Sequence, residues 1–278
     1  MSARDFLTSV GVIVTVMAIG ALIETVVPMF LADVPKHGRR SANLWLTATS
    51  FVSNWLLASV AAIAALTLRP AGAMAQLQWP LWLQVGTGIV VLDFSVGYLS
   101  HRLMHMWPAM WRFHQIHHSD DFVDVTTTYR THPVETAWRF LFAIVPIWVL
   151  GLPAQAVVIQ RLLQATNGVI EHANIRLWAP VDRILSLLWV TPNVHKIHHS
   201  REISEANSNY ANLLTIYDRV LGTYTASDRA RSIVYGLDDA ERLATGSYAT
   251  LLTRPFRPAD RAEPAPDTKI RIEATADR

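Results

Sequence analysis

The reading of this chain turns on HRLMHMWPAMWRFHQIHH, residues 101–118, which holds five of the eleven histidines. His101 and His105 are four residues apart, and His114, His117 and His118 follow at intervals of three and one. Residues at i, i+3 and i+4 project from one side of a helix, so each set becomes a cluster of imidazoles if the stretch is helical. A second cluster, HKIHH at 195–199, repeats the spacing of HQIHH. One helical histidine pair says little, because a lone histidine is more often a hydrogen-bonded packing residue than a ligand. Two HxxHH sets and one HxxxH, all following apolar runs, say more. Polar side chains near a bilayer are costly unless they share a partner. Eight clustered imidazoles also exceed the three or four ligands of a single zinc ion, so the pattern points to two metal ions.

Composition sets the environment. Hydrophobic residues make up 51% of the chain and charged residues 17%, against about 25% charge in soluble domains. The mean hydropathy is +0.23. These values point to a membrane protein. The net charge of +2 comes from scattered residues and forms no concentrated basic patch, which argues against a nucleic-acid partner. With no cysteine, disulfides and thiolate ligands are excluded, and any metal must be held by His, Asp or Glu. Neutral imidazoles suit iron, zinc and copper better than calcium or magnesium.

Working outward from the first cluster, three apolar runs precede it, at about 6–30, 44–68 and 81–99. Each is long enough to cross a bilayer. The first is too long for the apolar region of a cleaved signal peptide, so it is expected to be retained. The loop 32–43 carries Lys36, Arg39 and Arg40 and is expected on the cytoplasmic side, which brings the third run back to the cytoplasm at His101. His37 lies in that loop, matches no motif and is expected to be solvated. From 114 to 139 the sequence turns polar, and SDDFVDVTTTYRTHPVE reads as a surface segment. Runs at about 137–150 and 153–169, split by Gly151, Leu152 and Pro153, are short for full spans and read as a hairpin that dips into the bilayer. A further apolar helix, 180–190, is expected in the interface or against the core, with Pro192 ending it before HKIHH.

The fold expected is therefore all-α: an integral, multi-pass membrane bundle of about four spanning or hairpin helices with a cytoplasmic histidine-rich cap. Residues 1–256 are expected to form one domain, with the histidine region at about 93–225 and a disordered tail at 257–278. HRLMH lacks the glutamate of HExxH, so a zinc-protease helix is unsupported. Neither a GxSxG elbow nor a Gly-rich phosphate loop is present.

The three histidine boxes, together with DFSVGYLSHR, WRFHQIHHS, YRTHPVE, HANI and DRVLGTY around them, resemble the membrane-bound fatty acid hydroxylase/sterol desaturase superfamily. The resemblance runs in order from about 93 to 255. It implies a di-iron enzyme that uses O2 to hydroxylate or desaturate a lipid or sterol-like C–H bond, with the short HxxxH box favouring hydroxylation. It implies His101, His105, His114, His117, His118, His195, His198 and His199 as metal ligands, His172 as an extra ligand from the returning hairpin, and His132 as a possible one. Two iron ions are the implied cofactor, and zinc could take their place in a purified sample. No flavin, NAD or haem motif is present, so electrons would come from a separate ferredoxin or cytochrome with its reductase.

A ligating imidazole usually gives its other N–H to a carboxylate or carbonyl. Asp93, Glu135 and Glu171 are candidates for that role, whereas Asp124 reads better as a surface charge or helix cap. Asn174 and Asn209 could bond ligands or backbone, and Tyr98 could do the same or simply pack. The alternative class is a membrane metal-binding or metal-transport protein without oxygen chemistry. A transporter should place its ligands mid-span, and these boxes fall at span ends.

Overall fold

The computed structural model describes residues 3–32, 36–68, 72–237, 247–257 and 272–274. It is mostly helical. Helix α1, Ala3–Val26, is apolar on all sides and leaves Leu7, Val14, Ile19, Leu22 and Val26 at least half exposed. Its 24 residues rise about 36 Å, enough for a hydrocarbon core of about 30 Å. Such a surface suits lipid, and Phe6–Val26 is one of three helical segments among the described residues that are long and apolar enough to cross a membrane. The others are Leu81–Met106 and Pro133–Leu150.

After α1 the chain forms a short strand, β1, Phe30–Ala32, and then α2, Lys36–Leu68. The basic segment expected as a loop is thus the first turns of a 33-residue helix, and Arg39 within it is buried at 7% exposure. The side chain of His37 lies outside the described residues. Helix α3, Leu81–Met106, carries a π-helical segment at Asp93–Leu99 immediately before the first histidine box. The wider turns there rotate the following face, a device common beside functional sites. Trp107 then turns the chain at φ −100°, ψ 111°, and Pro108 opens α4, Pro108–His118, at its first position, where a missing N–H is harmless.

The polar stretch after α4 is not a surface segment. Asp120, Phe122, Val123, Asp124, Val125, Thr127 and Arg130 are all buried, their polar groups bonded to one another and to α2. Polar residues that satisfy each other pack inward, and periodicity alone does not show it. Helices α5, Pro133–Leu150, and α6, Ala154–His172, form the expected hairpin. Gly151 closes α5 at φ +64°, and Gly72 packs so closely against it that a Cβ on Gly72 would sit 2.1 Å from the Gly151 Cα. No L-residue with a side chain combines that φ with that approach. Across the bundle, α2 packs on α5, α3 on α6 and α1 on α6.

The apolar segment expected as a helix over 180–190 is helical only at α7, Ala179–Leu185. Pro192 does not end it but begins the next helix, α8, Pro192–His198, with the Thr191 side chain capping Val194 N. Of the tail at 257–278, Ile272–Ala274 forms β2, antiparallel to β1 with Phe30 opposite Ala274. Residues 258–271 and 275–278, where disorder was expected, lie outside the described residues.

Candidate metal centre

Four helices deliver the histidines. The end of α3 brings His101 and His105, the last turns of α4 bring His114, His117 and His118, the end of α6 brings His172, and α8 with the residue after it brings His195, His198 and His199. These nine fall into two groups: His101, His105, His114, His118 and His198, and then His117, His172, His195 and His199. Within each group one nitrogen per ring lies within 4.8 Å of all the others. All are buried except His105, which is partly exposed.

The ring orientations are set by backbone acceptors. The Nδ1–H of His101 donates to the Tyr210 carbonyl at 2.7 Å, that of His172 to Gly168 at 2.6 Å, and that of His198 to Ser208 at 2.8 Å. A carbonyl can only accept, so in these rings Nδ1 carries the proton and Nε2 carries a lone pair. Those Nε2 atoms face other Nε2 atoms: His101 to His114 and to His198 at 3.0 Å, and His172 to His117 and His195 at 3.1 Å. Buried lone pairs pointed at one another repel unless a cation lies between them, and imidazole nitrogen is a good donor for a transition metal. The residues fit a metal pair.

Electrostatics agree. Burial, reinforced by adjoining imidazoles, holds His117, His118, His195 and His199 well below the ordinary histidine range and pushes His198 down to about 3. Neutral rings are the form that binds metal. Inside the HKIHH box, burial lowers the Lys196 ammonium to about 7, and its Nζ donates to the Ala173 carbonyl next to His172.

The residues expected to orient the ligands behave differently from one another. The Glu135 carboxylate accepts from His114 Nδ1 at 3.1 Å and from Arg139 Nε at 3.0 Å. Glu171 makes no direct bond to a ring: its Oε1 is 3.8 Å from both His172 Nδ1 and His195 Nε2, and its oxygens accept from Asn212 and Asn167. Asp93 is buried against the turn containing Leu213, Leu214 and Tyr217 instead of against a histidine. Asn174 bonds both backbone groups of Phe30. Asn209 adopts φ +51° and bonds Val194 and Thr225. It thereby turns the flanking Ser208 and Tyr210 carbonyls toward His198 and His101.

Asp124 caps the short helical turn Val125–Thr127, and Tyr98 packs while bonding Thr223 at 3.0 Å. His132 stands outside both groups. Its Nδ1 accepts from Val134 N at 3.1 Å, capping α5, and its Nε2 bonds Leu252 O. The proline that follows it, at the first helical position, explains the placement. Asp218, the first residue of DRVLGTY, has a role its sequence context did not assign: it accepts from the backbone N–H of Tyr210 and Ala211 at 2.9 Å each and holds the carbonyl that orients His101.

Compared with known proteins, residues 85–223, half of the chain, match the fatty acid hydroxylase family. The chain belongs to that family. It is 34% identical over 187 residues to an ornithine lipid hydroxylase of Rhizobium tropici, covering 67% of this chain and 54% of that protein. It is 28% identical over 165 residues to the alkylglycerol monooxygenase of Danio rerio and 31% identical over 149 residues to that of Homo sapiens, covering 33% and 31% of those proteins. The chain thus spans between about a third and about half of these relatives. No solved structure matches it.

Proposed function

We propose that this protein is a membrane-bound di-iron oxygenase that hydroxylates a C–H bond in a lipid chain. The observation that carries the reading is the convergence of nine mostly buried imidazoles into two lone-pair groups, beginning at the end of the apolar helix Leu81–Met106. The overall reaction is R–H + O2 + 2 e− + 2 H+ giving R–OH + H2O. Iron held by the five- and four-histidine groups would supply the one-electron chemistry that O2 activation needs. The chain's own residues do the rest. The carbonyls of Tyr210, Gly168 and Ser208 and the Glu135 carboxylate fix ring orientation, and burial of eight of the nine rings keeps them out of bulk solvent.

Electrons come from a separate ferredoxin or cytochrome with its reductase. The boxes face the cytoplasm, supported by the basic residues in the first turns of α2 and by Arg102, Arg112 and Arg139 around the cap. The names of the relatives, an ornithine lipid hydroxylase and alkylglycerol monooxygenases, support a polar lipid whose acyl or alkyl chain enters from the bilayer.

The test is to express the chain with a working electron donor, measure metal in the purified protein, and search its lipids for an added oxygen by mass spectrometry. Iron near two per chain and a new hydroxylated lipid that disappears in His117→Ala or His198→Ala are expected. Zinc alone with an unchanged lipidome would overturn the proposal.

A further inference from the structure

Arg39 lies outside the residues matched by the family, and in sequence it belongs to a basic segment whose charges set membrane orientation. Such a charge needs only water or headgroups around it. Its neighbour Arg40 comes close to that state: its side chain is 44% exposed and touches the cluster only through one long contact to Asp124 at 3.5 Å. Arg39 does not. Its side chain is 6% exposed, and its guanidinium donates to both oxygens of Asp120 at 2.9 and 3.1 Å, to the Phe122 carbonyl at 2.7 Å, and to Asp124. A guanidinium gives up its hydration only where several acceptors replace it, and here Nη1 and Nη2 both find acceptors while the buried Nε has none.

The bonds continue to the ligands. Asp120 also accepts from Asn43 Nδ2 at 2.9 Å and from Thr127 Oγ1 at 2.8 Å. Asn43 Oδ1 accepts from Arg130 Nη1 at 2.7 Å. Arg130 in turn donates from Nε to the Ile116 carbonyl at 2.8 Å and from Nη2 to Ser119 Oγ at 2.9 Å. The anchored atoms belong to Ile116, Ser119 and Asp120, which bracket His117 and His118. His117 is in the four-histidine group and His118 in the five-histidine group. One short turn therefore sets a ring in each group, and α2 holds that turn through Arg39, directly at Asp120, together with Asn43.

We propose that Arg39 is a positioning residue for both metal groups: it pins the last turn of α4 to α2 and thereby sets His117 and His118 together. The inference rests on the proposed metal centre. Its signature is paired loss. Glu135, which bonds only His114 among the ring nitrogens, should affect the five-histidine group alone, whereas Arg39 should affect both.

The full chain is purified in detergent as wild type, Arg39→Ala, Arg39→Lys, Asp120→Asn and Arg40→Ala. Metal per chain is measured with the spectrum of the cobalt-loaded protein, well below each variant's unfolding temperature. Arg39→Ala is expected to weaken both metals together by at least about tenfold, the scale found for partners one step beyond a ligand. Arg39→Lys keeps the charge but cannot reach Asp120, Phe122 and Asp124 at once, so it should retain metal in part with an altered spectrum. Arg40→Ala should match wild type. If Arg39→Ala does not fold, Arg39→Lys and Asp120→Asn decide. Wild-type spectra and occupancy in these variants, loss from one group only, or equal loss in Arg40→Ala would overturn the inference. A wild-type protein that binds no metal would instead overturn the proposed function.

Discussion

The sharpest consequence of the geometry concerns Glu135. It is fully buried in the first turn of α5, where the positive end of the helix favours a carboxylate. One oxygen accepts from His114 Nδ1 at 3.1 Å and the other from Arg139 Nε at 3.0 Å. His114 Nε2, on the far side of the same ring, sits 3.0 Å from His101 Nε2 and 3.2 Å from His118 Nε2. Glu135→Gln keeps the length and removes the charge that makes this ring a stronger donor. Partners of this kind are worth about 10–100-fold in metal affinity, which converts to about 1.4–2.7 kcal/mol. The whole effect should fall on the five-histidine group, because Glu135 bonds no ring of the other. Glu135→Ala should do more, since it also strands Arg139. Breaking a buried charged pair costs about 3–5 kcal/mol, and the low end applies because the Arg139 side chain is 26% exposed. Chelator competition on the purified protein measures the affinity of each group. An affinity within twofold of wild type, or equal weakening of both groups, would refute the assignment of Glu135 to His114.

Three further outcomes follow from the coordinates. His117→Ala should lose metal from the four-histidine group and His118→Ala from the five-histidine group, so cobalt spectra of the two variants must differ; identical spectra would refute the partition. Asn209→Ala forces a side chain into left-handed backbone at about 1–2 kcal/mol and drops the bonds to Val194 and Thr225, whereas Asn209→Gly loses only the bonds. Metal retention should rank wild type, then Gly, then Ala, and the reverse order of the two variants would contradict a backbone role. At the contact of α3 and α6, a Cβ on Gly88 would lie 2.6 Å from the Ala156 Cβ. Gly88→Ala should therefore lower thermal stability in detergent by about 1–3 kcal/mol, with Ala156→Gly restoring it, and an unchanged melting temperature in the single variant would show that the helices are not in contact there.

What could be read from sequence was whatever has a period. Apolar runs gave α1 and α3, and the i, i+4 histidines gave the boxes, because both signals repeat along one element. The missing parts depend on tertiary partners. Arg39 reads as a solvated charge until α2 is seen to carry it to Asp120. The segment 119–130 reads as surface because its polar residues give no hint that they bond each other. His132 looks like the other histidines, yet its ring faces Val134 N and Leu252 O. The acceptors that orient His101, His172 and His198 are main-chain carbonyls, and these have no letter in a sequence. Asp93, Glu171 and Asn174 sit near the right places in the chain, but each meets backbone or amide groups instead of a ring nitrogen.

The partition of ligands explains why HxxHH occurs twice. On a helix of about 100° per residue, position i+4 lies about 40° to one side of i and position i+3 about 60° to the other. A box of this form therefore offers a pair, i and i+4, to one centre and a single ring, i+3, to another. The structure uses it that way in both copies. His114 and His118 enter the five-histidine group while His117 enters the other; His195 and His199 enter the four-histidine group while His198 crosses back. The HxxxH box of α3 adds its pair, His101 and His105, to the five, and His172 adds one ring to the four. Each HxxHH helix thus stands in the seam, giving two rings to one histidine group and reaching across to the other with the third. Spacing between the sites is then set by rigid helix geometry within α4 and α8, not by the loops that join them. A fixed spacing is what the proposed reaction at two metals would require, so the outer bonds that hold α4 in place bear on both histidine groups together.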